Sequence, residues 1–184
     1  MELNKEQEEW LKNFQIQHIN ANRGPNRGPI SEEFCLKEHP IFLETGFAMQ
    51  HLPDELKTEE LCLAAVQQNG KTLEFVPGAL KTEALCLAAV RQDGVAIQFV
   101  PNEMITEELC IAAVRNISYA LDFVPDAQKT EAVCLASVQH SGRSLQLVPE
   151  KFKTEALCLA AVQQDRDALE YVPDALRDKV AAGV

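Results

Sequence analysis

The sequence predicts an all-α fold. It is an α-solenoid of about six 24-residue units, each a longer helix plus a short α or 3₁₀ helix, with an N-terminal capping helix. Three observations predict it. Cysteines fall at 62, 86, 110, 134 and 158, every step 24. Prolines fall at 77, 101, 125, 149 and 173, in the same step. The decapeptide KTEALCLAAV occurs at 81–90 and again at 153–162, three periods later. Self-similarity at a fixed period of this length marks stacked repeats. One such unit is too short to bury its own apolar residues, so each must use its neighbours as core.

From the N-terminus, residues 1–21 form an amphipathic helical segment. Asn4 is placed to cap it, with Gln7 as the capping-box partner. Trp10, Leu11, Phe14 and His18 fall near one face. Two roles stay open: a cap over the first repeat, shielding an exposed core, or a docking helix for a partner. Residues 22–29, NRGPNRGP, read as a linker, because Gly-Pro pairs break both helix and strand. The alternative is a basic tip built on Arg23 and Arg27. Residues 30–56 form a degenerate first repeat. ISEEFCL (30–36) matches the T-E-E-L-C-L start, and ETGFAMQHLPDEL (44–56) matches QNGKTLEFVPGAL (68–80), with three extra residues between them around Pro40. Residues 57–176 hold five regular repeats, and 177–184 a truncated C-terminal cap.

Within a regular unit the local chemistry repeats. Thr58, Thr82, Thr106, Thr130 and Thr154 suit a helix N-cap. The glutamate after each sits in the first turn, where the helix dipole favours an anion. The following LCLAAV is apolar over more than one stripe, which predicts a helix covered on more than one side. Gly70, Gly94 and Gly142 are expected to end that helix as left-handed residues. K-T-L-E-F-V has room for one or two turns before Pro77 restricts Val76. The row Gln68, Gln92, Asn116, His140 and Gln164 is expected to bond local backbone. The cysteines are expected to be small core residues. Equivalent positions in adjacent layers lie roughly 8–10 Å apart, too far for a disulfide, and no unit supplies a second ligand at zinc spacing.

Residues 57–176 also resemble a bacterial family of tandem helical repeats known as a domain of unknown function. The resemblance rests on AAVQQNGKTLEF, AAVRQDGVAIQF and AAVQQDRDALEY, an apolar helix ending in A-V, then Q-[DN]-G, then A-L-x-[FY]. Ser118 and Arg166 depart from it at the glycine. It implies a helical array without catalytic residues. The period is also similar to that of leucine-rich variant repeats, as a geometric analogy.

Charge and missing motifs narrow the function. The formal net charge is −11. Residues 1–29 hold four acids and four bases, so residues 30–184 carry the whole imbalance. That disfavours direct nucleic-acid binding and favours a protein partner with a basic surface. No apolar stretch approaches a membrane span, and MELNKEQEEW is no signal peptide; a cytoplasmic location follows as the expectation. No catalytic, cofactor or metal motif is present, so a non-enzyme is expected. Two sets of residues are candidates for partner binding. One is the row Glu59, Glu83, Glu107, Glu131 and Glu155, which also serves as helix-dipole partners. The other is Arg91, Arg115, Tyr119 and Arg143, at positions that vary while the scaffold stays fixed. Trp10 is a further candidate. The expected function is an acidic inhibitor or immunity-type scaffold capturing a basic toxin or nucleic-acid enzyme. The alternatives are a self-assembly module forming a homo-oligomer, and a binder of small anionic ligands.

Overall fold

A computed structural model describes residues 57–184, with 49, 50, 52 and 54. The N-terminal helix with Trp10, the Gly/Pro linker and most of the degenerate first repeat lie outside the described residues. The rest is an all-α repeat fold. Five ten-residue helices recur: α1 (Glu59–Gln68), α2 (Glu83–Gln92), α3 (Glu107–Asn116), α4 (Glu131–His140) and α5 (Glu155–Gln164). Each is followed by a six-residue 3₁₀ helix, then by a three-residue 3₁₀ turn opened by the proline, as in Gly70–Phe75 and Gly78–Leu80. After Pro173 that short turn is replaced by a full helix, α6 (Asp174–Ala182). It starts before Arg177 and carries Asp178, the counterpart of the threonine cap, in its interior.

The threonine caps hold. Each threonine Oγ1 accepts a hydrogen bond from the amide three residues on, at 3.2 to 3.3 Å. The first turn therefore starts with one of its orphan amides satisfied. Burial then follows i, i+1, i+4, i+5. In α1 it takes Leu61, Cys62, Ala65 and Val66, and α2, α3 and α5 repeat the choice. That stripe is wide because each helix touches two layers. α1 to α5 pack in chain order, as do the long 3₁₀ helices, and each of α2 to α5 also meets the 3₁₀ helix of the preceding unit. Leu73, Ile97, Leu121 and Leu145 fill the space between the two rows and are fully buried.

The glycines do something other than expected. The helices end on residues such as Asn69 and Asp93 in extended backbone (φ −146°, ψ 106° at Asn69), not on a left-handed glycine. Asn69 Oδ1, Asp93 Oδ1 and Asp165 Oδ1 each accept from the amide two residues on, so the Asn/Asp of the motif caps the following 3₁₀ helix. The glycine is required by the next layer. A Cβ on Gly70, Gly94 or Gly142 would collide with the carbonyl oxygen of Ala89, Ala113 or Ala161. At Ser118 the facing residue departs too: Ser137 replaces the alanine, and its hydroxyl donates to the Ser118 carbonyl at 3.2 Å. Arg166, the other departure, is exposed.

The amide row also reaches further than its own unit. Gln92 Nε2 donates to the Gln68 carbonyl at 3.1 Å, and Asn116 Nδ2 to the Arg91 carbonyl at 2.8 Å. Asn116 Oδ1 accepts from Gly94 N at 2.8 Å, and Gln164 accepts from Gly142 N. Gln92 and Asn116 thus satisfy terminal carbonyls of the helix one layer back, which the helix itself leaves without partners.

Candidate protein-binding surface

Stacking ten-residue helices in one direction sorts their two ends onto two edges, about 15 Å apart at 1.5 Å per residue. Glu59, Glu83, Glu107, Glu131 and Glu155 each occupy the first helical position, and all are exposed. They make a row along the N-terminal edge. Glu60 and Glu108 add a second exposed carboxylate in α1 and α3. Glu107 accepts from the Thr130 hydroxyl in the next layer. Glu155 lies 3.9 Å from Lys179 of α6.

Arg91 and Arg115 lie in the last turns of α2 and α3, on the opposite edge, and are exposed. Tyr119 is on that edge as well, 51% exposed, with its ring edge-on to Phe123 at 5.6 Å. Arg143 is engaged there: its Nε is 3.0 Å from Asp165, and a second nitrogen pairs with Asp167. The two candidate sets are thus separate surfaces, one acidic and one mixed.

The lysine that opens the consensus escaped sequence reasoning. Lys57 and Lys81 reach inward, and their Nζ atoms donate to the Phe75 and Phe99 carbonyls at 2.8 Å. Lys129 and Lys153 pair with Asp126 (3.0 Å) and Glu150 (2.7 Å). The bond from Lys129 holds the Asp126 carboxyl below its usual value. Burial lowers the Lys81 pKa, against the pull of Cys86 and Glu74. The signal was recurrence: a surface lysine has no reason to return at one position four times. The third unit carries buried Ile105 there instead. A groove of about 480 Å³ opens nearby, between α2 and α3.

Among the described residues, no group of three or more His, Cys, Asp or Glu is placed to hold a metal. Among them too, no helix is long and apolar enough to cross a membrane. The five described cysteines are free and buried.

Fold and surface together define an all-α tandem-repeat protein. The chain belongs to the family described as Domain of unknown function (DUF4116), whose model matches residues 32–81 and 131–177, more than half of its length. Each matched stretch is about two periods long. Searches of curated proteins and of solved structures give no match.

Proposed function

We propose that this chain is a non-enzymatic, cytoplasmic protein-binding scaffold, an acidic inhibitor or immunity-type protein that captures a basic toxin or nucleic-acid enzyme. One observation carries the reading: five exposed glutamates, one per layer, line the same edge of the array. The helix dipole accounts for an acid at each position, but their alignment also gives a periodic anionic surface. Such a surface steers a basic partner into encounter and suppresses acidic competitors. The steering weakens with ionic strength.

The test is capture from a native lysate at low ionic strength, with elution in salt steps. The reading expects a basic protein released sharply as salt rises, whose own activity falls to nothing when the chain is added in equal amount. Recovery of the chain alone would turn the reading toward self-assembly. That second reading draws on Ile117 and Tyr119, two large apolar side chains left 38% and 51% exposed on the other edge. Light scattering at high concentration separates the two, since a strict monomer removes the second.

A further inference from the structure

We propose that the groove between α2 and α3 is the anchoring site for the basic partner, and that it takes a segment with an aliphatic side chain flanked by lysine or arginine. This rests on the reading above and gives it an address.

The groove has an apolar floor and an anionic rim. Leu87 and Met104 are half-buried in its wall, Leu109 is almost wholly buried at its base, and Ala84 stands exposed at its lip. Its volume, about 480 Å³, falls in the range of cavities that hold a ligand rather than a trapped water. Glu83 borders it from one helix and Glu108 from the next, both exposed. No basic residue lines it.

Two departures from the repeat sharpen the case. Glu108 stands where the second, fourth and fifth units carry Ala84, Ala132 and Ala156. Glu83 has no hydrogen-bond or ion-pair partner among the described residues. The lysine that opens the other regular units is Ile105 in this one, between the groove-lining Met104 and Thr106. The rim therefore has two carboxylates, and the inward-reaching lysine of the other units is replaced beside the groove by an aliphatic side chain.

Charge selects the occupant. A wholly apolar segment would cover Glu83 and Glu108 without offering them a partner, at a desolvation cost. A second copy of this chain, with its net charge of −11, would bring like charges together. A segment pairing an aliphatic side chain with flanking cations meets both floor and rim.

Fluorescence anisotropy tests this with a labelled synthetic peptide carrying one leucine between lysines, and a matched peptide with serine for the leucine. Four proteins are compared: the parent, Glu83→Gln/Glu108→Gln, Asp122→Asn/Glu170→Gln as a control pair off the glutamate row, and Ala84→Phe. All five substituted positions are exposed, and thermal midpoints confirm that each variant folds. The groove variant and Ala84→Phe should each weaken the leucine peptide about tenfold, and the serine peptide should bind the parent as weakly. The control pair, with the same change in net charge, should weaken it less than twofold. Equal losses in the two double variants would overturn both groove and edge, whereas a loss confined to Glu83→Gln/Glu108→Gln with undiminished binding to Ala84→Phe would overturn the groove while leaving capture by the acidic edge intact. No binding of the lysine peptide to the parent at low salt would remove both.

Discussion

Cys62, Cys110 and Cys134 are fully buried, and burial pushes their thiols up to about 11. Burial raises Cys86 and Cys158 as well. The thiolate is the reactive form, so native cysteines should react slowly with a bulky maleimide and quickly after denaturation. Cys86, which borders the groove, should be modified first; mass spectrometry of a labelling time course checks the order. A raised thiol pKa also couples folding to pH. The contribution is fully present below the unfolded value, near 9.0, and is lost as pH rises through about 11. Lys81, lowered by burial, acts with the opposite sign but is one group against five. The urea midpoint should hold from neutral pH to about 9 and fall above it, less steeply in Cys110→Ala. Glycine gives a second residue-scale prediction. Gly94→Ala forces a Cβ into the Ala113 carbonyl and to 2.8 Å from Ile117 Cγ2, and should cost about 3 kcal/mol. Gly78→Ala meets nothing within 4 Å and should leave the urea midpoint unchanged.

At the scale of one element, each helix is specified at its ends more than in its middle. Losing the Thr106 hydroxyl leaves the Leu109 amide unsatisfied, so Thr106→Ala should lower stability by about 1 kcal/mol in chemical denaturation. What the sequence made legible was local. Threonine caps, the apolar stripe and the buried cysteine all follow from residues within one turn or one period. What stayed hidden depends on the next layer. Gly70 is explained by the Ala89 carbonyl, nineteen positions away, and no pattern within its own unit points there. The reach of Asn116 to Arg91 O and Gly94 N was hidden for the same reason. Lys57 and Lys81 were passed over for a chemical reason: the residue type does not tell a solvated lysine from one whose stem lies inside while its ammonium serves a carbonyl, as here. The candidate surface was legible only in part. The glutamate row could be placed on one edge from the period alone. The pairing of Arg143 with Asp165 and Asp167, and the groove between α2 and α3, required knowing how layers meet.

For the whole molecule, stacking identical helix directions turns a local preference into a global field. Each glutamate is favoured by its own helix, and repetition aligns the five on one edge while Arg91 and Arg115 gather on the other. The measurement that tests the account most directly compares two baits in parallel: the parent chain, and one with Glu59, Glu83, Glu107, Glu131 and Glu155 all changed to glutamine. Glutamine keeps the size of each side chain and removes only its charge, and a thermal midpoint confirms the fold. A basic protein should be retained by the parent at low salt, released as salt rises, and lost from the glutamine bait. Equal retention by both baits, or retention that ignores salt, would contradict the claim that the acidic edge is the working surface.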